Sequence, residues 1–216
     1  MSRFHRIAWS CMALLTLMLG GCGATSSPPL SYHKGAVQYT ARLADLDAAG
    51  FTVTTAPASV AADSMPFVTA QRAEKLRSLG LSSTAMAHYF RAVPDILFSN
   101  GPLDVISYAE QFPSSSAAAQ AFSVEGAWIQ AVPTSQQVSP GPIGDEALAT
   151  VESRVTPTSE RVIVLQYTIL WRMSNIIEIL YVRQRYDGNG ISDAATIAAN
   201  ITTRLESSAL ATPKAK

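Results

Sequence analysis

One run governs how this chain can fold: "RVIVLQYTILWRMSNIIEILYVRQRY", Arg161 to Tyr186. Successive side chains of an extended strand point to opposite faces, so residues two apart share a face. Ile163, Leu165, Tyr167, Ile169 and Trp171 have one parity and predict a continuous apolar face. Met173-Ser174-Asn175 predicts a turn, and Ile177, Ile179 and Tyr181 are expected to line the same face on the returning strand. A membrane span is the other reading of so apolar a run, but Arg172 and Glu178 interrupt it. The run is therefore a central hairpin, and the rest of the fold has to cover it.

The helices that could do so are visible around it. "SDAATIAANITTRLESSAL", Ser192 to Leu210, repeats Ile197, Ile201 and Leu205 at four-residue steps, with Ser192 as its cap. "PSSSAAAQAFSVEGAWIQAV" has serines able to cap an alanine-rich helix carrying Ala118, Phe122 and Trp128. "FVTAQRAEKLRSLGL" predicts a third helix, and "VQYTARLADLDAAG" a fourth, with Leu43 and Leu46 in register and Gly50 at its end. Strands are expected at Phe51–Thr55, around Ile96–Phe98, and from Val105 to Phe112 after the turn Asn100-Gly101-Pro102. Ala56–Pro66 and the Pro/Gly-rich "PTSQQVSPGPIGDEAL" predict loops, while "TAMAHYFRAV" suits helix or strand equally. Helices flanking strands that return through hairpins give an α+β fold, a largely antiparallel sheet with helices packed on it.

The N-terminus is of a different kind. Arg3 and Arg6 precede an apolar run, Ile7–Leu19, too short to span a bilayer, and small residues follow. Leu19-Gly20-Gly21-Cys22 resembles the lipobox of bacterial lipoproteins. That resemblance implies cleavage after Gly21 and a diacylglycerol on the Cys22 sulfur, hence a lipid anchor on the extracytoplasmic face of the cell membrane. Two or more acyl chains hold firmly where one holds marginally. The expected organisation is a signal peptide over 1–21, a flexible tether over 22–36, one α+β domain over 37–210 and a disordered tail over 211–216. Cys11 leaves with the leader, so the mature chain has no partner for Cys22 and no internal disulfide.

Charge narrows the functions. The chain carries 16 basic and 16 acidic residues, and loss of Arg3 and Arg6 leaves it slightly acidic. No basic run is present, which argues against nucleic acid as a partner. Hydrophobic residues at 48 % against 15 % charged indicate a packed domain rather than a stalk.

Few residues invite chemistry. Asp187, Asn189 and Asp193 suggest a calcium loop, but counting from Asp187 puts Ile191, Ser192 and Ala198 where an EF-hand needs a ligand, a glycine and a glutamate. No metal site and no cofactor is expected. His33 and His88 survive export, yet no nucleophile motif accompanies either, so no catalytic residue is assigned. Asp145 and Glu146 read as a polar turn, their side chains diverging if the segment is extended. Trp128, Tyr167, Trp171 and Tyr181 belong either to the core or to the lining of a ligand groove between hairpin and helix.

The sequence "IGDEAL", the hairpin turning at "RMSNII" and the closing "AATIAANITTRL" resemble a pattern in uncharacterised bacterial lipoproteins, grouped loosely with sensor-, PsbP- and Mog1-like α/β sandwich domains. The likeness covers the last third of the chain. It implies no catalytic residues, and the disulfides that brace many such sensor domains are missing here. The function expected is a non-enzymatic binding or sensing module for a small apolar ligand, a lipid or an envelope protein. An envelope hydrolase with a non-local site and a structural or assembly lipoprotein are the alternatives.

Overall fold

A computed structural model describes residues 31–46, 49–64, 68–93, 99–155, 163–186 and 190–210. Gly21, Cys22, Asp187 and Asn189 lie outside the described residues, as does the strand expected around Ile96–Phe98. Among the described residues seven strands form one sheet: β1 (Phe51–Ser59), β2 (Ser83–Arg91), β3 (Pro102–Gln111), β4 (Gln136–Val138), β5 (Glu146–Val155), β6 (Ile163–Met173) and β7 (Ile176–Arg185). They run in the order β1-β2-β3-β7-β6-β5-β4, antiparallel throughout. The α-helices among the described residues that cover it are α1 (Ala70–Ser78), α2 (Ser115–Gln130) and α3 (Ser192–Leu210). The fold is α+β, a sheet between two unequal layers.

The hairpin β6–β7 sits near the middle, and both its faces are buried. On one side α3 and the segment before β1 pack over Tyr89, Ala109, Tyr167, Ile169, Trp171 and Leu180. On the other, α1 and α2 pack over Tyr108, Leu148, Leu170, Ile177 and Ile179. Two covered faces explain why this stretch reads as almost unbroken apolar sequence rather than as clean alternation. Ile197, Ile201 and Leu205 form the buried stripe of α3. Ser114 caps α2 by accepting the Ala117 N–H. Gly126 lets α2 approach the sheet, since a Cβ there would stand 3.2 Å from Leu148 Cδ2.

The register of the hairpin corrects one expectation. Its turn has two residues, Ser174 and Asn175, with Met173 opposite Ile176 and Trp171 opposite Glu178. Directly opposed residues share a face, so Ile177, Ile179 and Tyr181 lie on the α1/α2 side, away from Trp171 and Tyr167. Counting Met173 into the turn had moved the return strand by one residue, which reverses every side chain. Ser174 has φ +54°, and its N–H donates to Asp145 Oδ2 at 2.7 Å. Arg172 Nη1 donates to the same oxygen at 2.9 Å, and its Nε donates to Glu146. The acidic pair thus converges on one guanidinium instead of diverging, because Asp145 precedes β5 while Glu146 begins it. Gly144, at φ +59°, is required there: a Cβ would strike the Arg172 carbonyl oxygen.

The N-terminal segment differs most from expectation. Tyr32 (5 % exposed) and Ala36 belong to the core, so residues 31–36 are not tether. Among the described residues no continuous helix follows; two 3-10 turns, Ala36–Gln38 and Leu43–Asp45, take its place, and Leu43 faces solvent. Side chains of the sheet and α3 satisfy the backbone of this strap that the two short turns leave unpaired. Asn175 Oδ1 accepts the Tyr32 N–H, and Asn175 Nδ2 donates to the Tyr32 carbonyl. Ser107 Oγ accepts the Ala41 N–H, Tyr89 donates to the Ala41 carbonyl, and Arg204 grips Asp45 and the Thr40 carbonyl. Elsewhere, β1 runs on through the expected loop to Ser59, and "TAMAHYF" is strand. β4 and the start of β5 lie inside the expected Pro/Gly-rich connection.

Candidate functional site

On the α1/α2 side the helices cover only part of the sheet. Beyond the end of α2, four opposed residues form a polar row across neighbouring strands: Asp104 on β3, Arg183 on β7, Gln166 on β6 and Glu152 on β5. They are joined side chain to side chain. Arg183 Nη1 donates to Asp104 Oδ2 at 3.1 Å and Arg183 Nε to Gln166 Oε1 at 2.9 Å. Gln166 Nε2 donates to Glu152 Oε1 at 2.7 Å, and Arg154 Nη2 donates to the same oxygen at 2.7 Å. His88 closes the other end, its Nε2 2.5 Å from Asp104 Oδ1. Each planar group is fixed by two neighbours, so the row is preorganised.

A cleft of about 390 Å³ opens where this row meets the end of α2. One wall is apolar: Trp128, Ile129, Ala131, Val132 and Pro133. The floor is polar: Thr150 and Thr168, directly opposed on β5 and β6, with Gln166, Glu152, Arg154, Tyr181 and, from α1, Arg72. Trp128 is 36 % exposed, and Val132 beside it on the same wall is exposed as well. A second cavity of about 140 Å³ lies between the N-terminal strap and α3, beside Tyr32, Tyr39 and Leu205.

Behind the floor lies a buried ionic cluster. Arg72 Nε donates to Glu125 Oε1 at 2.8 Å, and Arg72 Nη2 also meets Glu125 Oε2, tying α1 to α2. Glu110 on β3 is fully buried, and among the described residues neither of its oxygens has a hydrogen-bond partner. Burial pushes this carboxyl up from the usual 4.5 to about 7, with Arg72 opposing the rise. Glu178, on the opposite face, is also raised well above the usual value by burial, with Arg204 opposing. Burial and a T-shaped contact join Tyr108 to Tyr181, ring centres 5.8 Å apart, and both phenols are raised by desolvation first.

Of the four aromatic residues expected to line a groove, Trp128 and Tyr181 line this cleft. Tyr167 and Trp171 do not: both are buried on the far side of the sheet, in the α3 core. The parity of β6 separates them from Gln166 and Thr168. Those polar residues were the missed signal. "VLQYTIL" interrupts an apolar strand at two positions of one parity, and "ATVESR" repeats the pattern with Thr150, Glu152 and Arg154. His88 has a carboxylate partner, but among the described residues no serine, threonine or cysteine is hydrogen-bonded to it. Among the described residues there is also no cluster of three or more His, Cys, Asp or Glu arranged for a metal ion.

No protein-family model matches the chain, and no curated protein does. Among solved structures it is similar to the extracellular domain of PknH from Mycobacterium tuberculosis, with 10 % identity and a TM-score of 0.51 over 76 % of this chain and 89 % of that one. A putative uncharacterized protein (Rv0999 ortholog) from Mycobacterium smegmatis gives 12 % identity and a TM-score of 0.31, over 76 % and 96 %. At such identity the first likeness is one of fold, and it places this α+β sheet-and-helix arrangement in an architecture already seen in a solved extracellular domain.

Proposed function

We propose that the protein is a membrane-anchored, extracytoplasmic binding module that acts without catalysis and takes a small amphipathic molecule in the cleft beside α2. The observation that carries this reading is the cleft's two-sided lining, an apolar wall facing a hydrogen-bonded polar floor. Sites of this kind are mostly apolar, with a few placed polar groups, and occupy about 300–1,000 Å³. The apolar ligand expected from sequence becomes an amphipathic one, since a purely apolar molecule would leave the floor unsolvated. The similar fold in M. tuberculosis is itself that of an extracellular domain, and among the described residues no helix is long and apolar enough to cross a membrane.

The anchor rests on Leu19-Gly20-Gly21-Cys22. Metabolic labelling with a fatty-acid probe is expected to mark the native chain and not Cys22→Ala, with the variant moving from the membrane to the soluble fraction. Equal labelling of both would remove the anchor from the account. A hydrolytic reading has one observation in its favour, the His88–Asp104 pair. It is the weaker reading, because Arg183 holds the second oxygen of Asp104 and, among the described residues, no serine, threonine or cysteine is hydrogen-bonded to His88.

A further inference from the structure

We propose that the ligand of this cleft is a neutral pyranose bearing a short apolar substituent, an inference that rests on the binding reading above. The floor decides against an ion. Glu152 and Arg154 lie on it together, hydrogen-bonded to each other, and Arg72 is ion-paired with Glu125 behind it, so an anion would meet the Glu152 carboxylate and a cation the Arg154 guanidinium. The floor also decides against a bare acyl chain. Thr150 and Thr168 line it, and hydrocarbon laid over their hydroxyls would cut them off from water, at a cost in binding.

A sugar ring satisfies both conditions. Its hydroxyls radiate from the ring edge and each donates and accepts, as do the two threonine hydroxyls and the Gln166 amide, flanked by the donor Arg154 and the acceptor Glu152. Its C–H groups form an apolar face of the kind that packs against an aromatic ring, and Trp128 stands in the apolar wall. The row holding Gln166 and Glu152 fixes their planes before the ligand arrives, so little ordering is left to be done on binding. The wall beyond Trp128, formed by Ile129, Val132 and Pro133, is left for the substituent.

The test uses the full chain in phospholipid nanodiscs, with empty discs as the blank. Methyl glycosides of glucose, galactose and mannose, the hexyl form of each, and hexanol are titrated and followed by saturation-transfer NMR. At least one methyl glycoside is expected to bind, with saturation concentrated on the C–H protons of one ring face. Its hexyl form is expected to bind about tenfold more tightly. Trp128→Ala should weaken the hexyl glycoside at least about tenfold, and Thr168→Val several-fold, both with an unchanged melting temperature. Hexanol binding as tightly as the hexyl glycosides, with no methyl glycoside signal, would overturn the sugar while leaving an amphiphile site. Silence from every probe would overturn both. Full affinity in Trp128→Ala and Thr168→Val would place any sugar elsewhere and overturn the assignment.

Discussion

Alanine at Glu125 is expected to destabilise the protein by about 3–5 kcal/mol, read as a fall in the midpoint of urea unfolding. The loss comes from what stays behind. Arg72 and Glu125 are almost wholly buried, and deleting the carboxylate takes the compensating charge away from a buried guanidinium between α1 and α2, while nearby Glu110 is largely protonated below neutrality. The pair itself adds far less than this cost, because desolvating both charges offsets most of their attraction. Replacing both residues, Arg72→Met with Glu125→Leu, is therefore expected to recover most of the stability. A double variant as unstable as Glu125→Ala would mean that the helices depend on the pair's specific geometry.

The second large effect is a loss of stability as pH rises. Glu110 moves from 4.5 to about 7 on folding, so the folded state holds this proton more tightly than the unfolded chain by roughly 3 kcal/mol. Below about pH 4.5 the group is protonated in both states and costs nothing. Between there and pH 7 the unfolded chain releases its proton first, and the folded state falls behind progressively. Glu178, also raised by burial, acts in the same sense. Glu110→Gln keeps the shape without the charge, so it is expected to match the native protein near pH 4.5, exceed it above pH 7 and flatten the profile between. Thermal unfolding across that range checks this; parallel profiles for the two proteins would show that Glu110 is not the titrating group.

How much of this could be read from sequence depended on which force positioned each segment. The hairpin and α3 were legible because their burial is periodic: Ile197, Ile201 and Leu205 state a helix, and Arg161–Tyr186 states two strands. Which face the return strand presents depended on whether Met173 belongs to the turn, a matter of one residue that periodicity does not decide. The N-terminal strap was illegible for another reason. It is held by Ser107, Asn175 and Arg204, far away in sequence, so its local pattern only imitates a helix. β5 escaped because Thr150 and Glu152 serve the cleft rather than the core, which removes the apolar alternation that announces a strand. The site was half visible: large aromatics were noticed, while the threonines and Gln166 beneath them had no signal except parity. Tyr167 and Trp171 were grouped with Trp128 by residue type, and the sheet divides them.

The reading of the cleft as a ligand site is tested most directly by native mass spectrometry of the protein extracted from its own membranes, beside a variant whose cleft is filled by Thr150→Trp. The native chain is expected to carry one additional small molecule that the variant lacks. An empty native chain, or the same molecule retained at equal occupancy in the filled variant, would contradict it.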